Sequence, residues 1–273
     1  IENEQVISEN KLDAHASFTP FSTKENALNN TNTLKQSLDG LWRFSWVKNP
    51  KNRPTSFMNP TESVSDWGEI KVPANWEVEG FGVPIYVNHQ YEFTDYKAMV
   101  ADDMELVDRV YPKNPGDVPD NYNPVGSYRR NFTIDDSWDG KELFLHIGAM
   151  KSGGFVWLNG EYVGYSQGSK LPAEFNITKM AKKGENTIAI QIFRWTDGSY
   201  LECQDFWRIS GIERSVFIYA QPKVRIQDFE VVSNLDGAYK NGVLDLSVVL
   251  ENNSQKKSKG TFSYKQNILI YIR

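Results

Sequence analysis

The chain has 273 residues, 40% of them apolar and 24% charged, with a formal net charge of −5 and a mean hydropathy of −0.53. That balance describes a soluble globular protein able to bury a large core, and its scattered Lys and Arg give no electrostatic basis for binding nucleic acid. No apolar run approaches the roughly 20 residues of a membrane-spanning helix, and the single cysteine, Cys203, excludes an intrachain disulfide framework or a CxxC metal site.

Residues 1–40 form an arm that is polar and Asn-rich with little periodicity as far as Gln36, and it is expected to be irregular and to lie on another surface. No signal peptide precedes Ile1, and the missing start methionine implies a trimmed beginning; a cytoplasmic and a periplasmic location both fit. From Leu41 the pattern changes. In LWRFSWV, Trp42, Phe44 and Trp46 alternate with Arg43 and Ser45, the period-2 signature of a strand with one buried face.

Further on, SYRRNFTI sets Tyr128, Arg130, Phe132 and Ile134 on one side, and ELFLHI does the same with Leu143, Leu145 and Ile147. The run FVWLNGEYVGY carries Asn159-Gly160 between two β-rich stretches, a two-residue hairpin signal because both central positions must accept positive φ. NTIAIQIFRW and RSVFIYA add two more strands. The one helix-like stretch, around residues 174–181, is too little for alternating βαβ units. The class is therefore all-β, an antiparallel sandwich or barrel.

Between Thr94 and Pro124 four prolines and many acidic residues mark a long surface loop. After Pro222 new strands begin in KVRIQDFEVV and GVLDLSVVLEN, about half of a small sandwich domain. The expected organisation is an arm over residues 1–40, a sandwich over 41–221 and an incomplete second β-domain over 222–273.

Four candidate sites can be weighed on residue chemistry. Gly164-Tyr165-Ser166-Gln167-Gly168 spells GxSxG, but a nucleophile elbow needs a strand turning into a helix and a later histidine, whereas His15, His89 and His146 all precede Ser166. Those histidines also lack the close spacing of a zinc site. Glu202 and Asp205 are a nearby carboxylate pair of the kind glycoside hydrolysis uses, and capping or salt bridging is the better reading. Trp42, Trp46 and Trp157 have core packing as their default role.

Several stretches in order resemble glycoside hydrolase family 2, in the amino-terminal sugar-binding domain of its β-galactosidases: SLDGLWRFSW (37–46), VPANWEVEGFGVPIYVNHQY (72–91), NPVGSYRRNF (123–132), VWLNGEYVGYSQGSKLPAEFNIT (156–178) and RWTDGSYLECQDFWRISGIERSV (194–216). The likeness begins in the arm, with NKLDAHASF (10–18), and runs to about Val232. It implies a galactose-binding-like jelly roll followed by the start of an immunoglobulin-like sandwich. The parent of such a chain hydrolyses terminal β-galactosides with retention, in carbohydrate metabolism, on a (β/α)8 barrel that carries both catalytic glutamates and is absent here. The resemblance thus leaves this chain without catalytic residues of its own. It assigns galactose contacts to Asn88, in the P-I-Y-x-N stretch, and to Asp205, in Q-D-x-W. An amide donates and accepts at once, and a carboxylate accepts from two hydroxyls.

The same likeness puts a sodium ion at Asp205 and a magnesium ion at Asn3, Gln167 and Asp197, oxygen ligands suited to a hard cation, with an upstream acidic ligand trimmed; hydrogen bonding within turns is the plainer role for these three. The expected partners are galactosides, the barrel and, through the arm, further copies of the chain. An autonomous carbohydrate-binding module, an assembly domain, and a β-glucuronidase or β-mannosidase specificity are the alternatives. Two departures from the familiar pattern stand out: the acidic loop at 94–124 is longer, and the tail after about Lys256 matches poorly.

Overall fold

The computed structural model describes residues 1–87, 93, 116–120, 122–202 and 205–265. Asn88, His89, Cys203 and most of the loop between Thr94 and Pro124 lie outside these residues. In chain order the strands are β1 (Ser8–Glu9), β2 (Lys35–Ser37), β3 (Gly40–Val47), β4 (Gly68–Val72), β5 (Ala74–Asn75), β6 (Ile85–Val87), β7 (Val125–Ile134), β8 (Glu142–Ile147) and β9 (Met150–Lys151). They continue with β10 (Gly153–Leu158), β11 (Glu161–Ser166), β12 (Ala173–Asn176), β13 (Gly184–Phe193), β14 (Phe206–Arg208), β15 (Gly211–Ile212), β16 (Val216–Gln221), β17 (Val224–Leu235) and β18 (Gly242–Asn252).

Two compact units result, residues 1–14 with 19–221 and residues 15–18 with 222–273. In the first, a seven-stranded sheet of order β1-β11-β10-β13-β7-β3-β4 and a four-stranded sheet of order β12-β8-β16-β2 supply the two sides of one core. The alternation dictates which residues meet. Trp42, Phe44, Tyr128, Phe132, Val156, Ile188, Ile190 and Ile192 come from the larger sheet, and Leu143, Leu145, Ile147, Phe175, Val216 and Ile218 from the smaller. The neighbours Phe144 and His146 project to the opposite side, where they stack on Tyr219 and Phe217.

The Asn159-Gly160 hairpin forms as expected, with φ of 55° and 87° at the two positions, joining Leu158 to Glu161. Arg130, expected on the inward side, turns its guanidinium to the Leu38 and Asp39 carbonyls at 2.7 and 2.9 Å, near the Trp42 ring. The long side chain thereby caps the core with its charge satisfied.

Three expectations are corrected. Trp157 does not fill the interior: it shares the outer side of β10 with Phe155, their rings 6.1 Å apart, while Val156 and Leu158 point inward. The 174–181 stretch is not helical. Ala173–Asn176 is β12, paired with β8, and the Asn176 side chain then bonds the Thr178 amide to make a turn. The helix lies instead in the arm at Lys24–Leu28, where the Thr23 hydroxyl caps the Asn26 amide at 3.1 Å.

The second unit is the β17–β18 hairpin with residues 15–18 against it, where Asp228 accepts from the Ala16 amide at 2.8 Å and Phe18 packs on Phe229.

Candidate functional site

Asp205 stands just ahead of β14, which among the described residues pairs with β6 alone, so that Phe206 is opposite Val87, Trp207 opposite Tyr86, and Arg208 opposite Ile85. Asp205 immediately precedes this ribbon on one strand, and Asn88 immediately follows it on the other in sequence. Cross-strand partners share a side of the ribbon. Accordingly Tyr86 and Trp207 stand together, ring centroids 5.8 Å apart and tilted by 58°. Both are exposed, at 52% and 55%.

The Tyr86 hydroxyl donates to Oδ1 of Asp205, a bond that holds the phenol above its ordinary pKa. One carboxylate oxygen is thus engaged by the phenol, while Oδ2 has no described partner within the ribbon. The sequence marked Asp205 and Asn88 but missed Tyr86 and Trp207, whose signal was two aromatics, each separated by a single residue from one of the predicted contacts.

At the other end of the ribbon the environment reverses. Ile85 is 1% exposed and Arg208 is fully buried. A second apolar cluster of Ile85, Phe93, Val118, Tyr122 and Trp195 surrounds this base.

A different polar cluster gathers near the beginning of the chain. Asp197 opens a 3-10 turn, Asp197–Tyr200, held by the Ser199 hydroxyl accepting from the Thr196 amide at 3.1 Å. The Gln167 amide group donates to Asp197 Oδ1 at 2.7 Å and to the Tyr165 hydroxyl at 2.8 Å, and the Asp197 amide bonds the Ile1 carbonyl at 2.9 Å. Burial, reinforced by the Asp197 and Glu202 charges against a lowering bond from Gln167, raises the Tyr165 phenol well above its usual value.

Asp197 Oδ2 is buried without a hydrogen-bond partner among the described residues. A buried carboxylate oxygen left unpaired is costly, and it fits a cation. Asn3 is not joined to this pair by any described hydrogen bond: its side-chain oxygen accepts from the Gln5 amide at 3.1 Å.

The remaining candidates resolve into structural roles. Ser166 is a buried strand residue whose hydroxyl donates to the Gln167 carbonyl at 2.9 Å. Glu202 accepts from the Ser169 amide and hydroxyl, His15 bonds the Ala16 carbonyl, and His146 bonds Glu174 at 2.6 Å. A cleft of about 440 Å³ bordered by Arg53, Asp120, Phe155, Trp157 and Phe193 does not include Tyr86 or Asp205. No helix among the described residues is long and apolar enough to cross a membrane.

The model of the glycosyl hydrolases family 2 sugar binding domain matches residues 35–222. A β-galactosidase of Priestia megaterium is 39% identical over 253 residues, covering 92% of this chain and 23% of the relative. One from Halalkalibacterium halodurans is 34% identical, covering 92% and 24%. The chain therefore spans about a quarter of the length of these relatives. Among solved structures, a β-glucuronidase from an uncultured Clostridium superposes with a TM-score of 0.55 at 22% identity, covering 89% of this chain and 36% of that one. A Bacteroides uniformis β-glucuronidase gives 0.58 at 19%, covering 81% and 22%. These structural likenesses concern the fold.

Proposed function

The chain belongs to the glycosyl hydrolases of family 2 through its sugar binding domain, and from that premise we propose that it supplies one side of the galactoside site of a β-galactosidase whose catalytic barrel lies outside these residues. The observation that carries the reading is the β6–β14 register. Val87 and Phe206 are partners, and the residue after the first and the residue before the second are Asn88 and Asp205. The carboxylate accepts from sugar hydroxyls, Tyr86 fixes its orientation, and the exposed Tyr86–Trp207 pair offers ring faces to the apolar side of a pyranose. The β-galactosidase names of the relatives favour galactose over glucuronic acid or mannose.

Alone, such a half-site binds weakly, with millimolar affinity for free galactose at best, about −4 kcal/mol. NMR titration of the 273-residue chain with methyl β-D-galactoside tests it. Binding is expected to vanish in Asp205→Ala and to weaken in Asn88→Ala, and methyl β-D-glucoside is expected to bind less well. Unchanged binding by Asp205→Ala would overturn the reading. An autonomous sugar-binding module is the second reading, favoured by the exposed aromatic pair; it requires Trp207→Ala to abolish binding while Asp205→Ala preserves it.

For the cations, Asp197 and Gln167 fit magnesium through the orphaned Oδ2, with the Ile1 carbonyl beside them, whereas Asn3 turns to its own loop. The ion would supply charge compensation there and tie the arm to the sandwich. At Asp205 a sodium ion would meet the carboxylate beside the Tyr86 phenol.

A further inference from the structure

Arg194, the residue after β13, is 1% exposed, and its guanidinium lies under the base of the β6–β14 ribbon. Both terminal nitrogens donate to the Val83 carbonyl at 3.2 Å, just ahead of β6. One of them also donates to the Arg208 carbonyl, at the end of β14, at 3.0 Å. A single side chain therefore joins both strands where they leave the core.

Its own place is fixed in turn. The Arg194 amide bonds the Pro124 carbonyl at 2.9 Å. The Glu77 carboxylate, equally buried, meets the guanidinium at 3.2 Å and takes the Ser210 amide at 2.8 Å on its other oxygen. Ser210 follows β14 closely, and its carbonyl accepts the Trp76 amide at 2.9 Å. The ribbon base is thus bracketed by one ion pair with bonds on each side.

A buried ion pair is poor value for stability, because desolvating both charges offsets most of their attraction. What it provides is geometry: a planar fork of five donors can hold two carbonyls and a carboxylate in fixed directions, which a point-like ammonium cannot. The beneficiary is the β6–β14 ribbon, two-stranded among the described residues, beside which Asp205 is exposed.

We infer that the Glu77–Arg194 pair is a positioning device that sets the direction in which the ribbon presents Asp205 to the sugar. The inference rests on the galactoside-site reading, and its test separates the two. Wild type, Asp205→Ala, Arg194→Lys and Glu77→Gln forms of the 273-residue chain are titrated with methyl β-D-galactoside by NMR, and amide hydrogen exchange is followed in each. Arg194→Lys and Glu77→Gln are expected to weaken binding about ten-fold. They should also quicken exchange in β6 and β14 at least ten-fold while β7 and β13 keep their wild-type protection.

Glu77→Gln keeps the fork and most of its bonds, so it serves where Arg194→Lys fails to fold. Equal acceleration in β7 and β13, or unaltered ribbon exchange, would overturn the positioning role even if Asp205→Ala abolishes binding. If wild type does not bind, or Asp205→Ala binds equally well, the sugar reading falls, and with it the claim about presenting Asp205. Selective exchange would then leave Glu77–Arg194 as an anchor of the ribbon alone.

Discussion

Gly126 lies beneath the Trp76 indole, and a Cβ there would come within 2.4 Å of the ring and 2.9 Å of Phe44. Both aromatics are essentially buried, so neither can swing away into solvent. Gly126→Ala is expected to cost about 1–3 kcal/mol by overpacking, read as a lower midpoint in chemical denaturation. Magnesium at 100 times its dissociation constant should stabilise the chain by about 2.7 kcal/mol, and Asp197→Asn should remove the increment in a thermal-shift titration. Single residues also show what a sequence conceals. Alternation placed Trp42 and Trp157 in equivalent patterns, yet period 2 says only that neighbours face opposite ways, and which side meets the core is decided by sheets far apart in the chain. Asp205, proposed as a sugar contact, stood out only through the likeness of its motif to the family's. Tyr86 and Trp207 were not, because cross-strand pairing over more than a hundred residues has no local signature, and Glu77 and Arg194 look like ordinary surface charges until burial is known.

Among the elements, those built on local chemistry were the most readable. The β10–β11 hairpin announced itself through two residues tolerant of positive φ, and the runs of alternating Ile and Leu in β8 and β13 could be little else. The 174–181 stretch misled because Ala, Glu and Lys favour helix, while pairing with β8 and burial of Phe175 override that preference. At the β17–β18 turn, Asp236 accepts from the Ala238 and Lys240 amides and the Asn241 side chain. These bonds, the Lys240 amide foremost, hold its carboxyl below the usual range. A depressed folded-state pKa means that the turn's stabilisation is present above the unfolded value near 4 and is lost as pH falls through the folded one. Acidification should therefore quicken amide exchange in this turn, beyond the intrinsic pH dependence, and Asp236→Asn should flatten that response.

For the whole molecule, the division into two units sets an uneven stability. The first has a two-sheet core, whereas the second, among the described residues, is a two-stranded hairpin whose apolar side, with Ile226, Phe229, Val231, Leu244, Leu246 and Val248, lines a cleft of about 380 Å³. A two-stranded ribbon holds its amides less firmly than the central strands of a many-stranded sheet with a packed core. Amides of β17 and β18 are expected to exchange at least a hundred-fold faster than those of β7 and β13, and similar protection in both would contradict this.

Ser8 and Glu9 pair with Ser166 and Tyr165, and Gly164 leaves the room they need, since a Cβ would meet the Glu9 carbonyl at 2.4 Å. That short stretch occupies the rim of the larger sheet, where β11 would otherwise show a row of unsatisfied amides and carbonyls to any passing chain. The beginning of the arm, which reads as loose packaging, thus covers that rim, and a form trimmed behind Asn10 should turn cloudy at concentrations the intact chain tolerates.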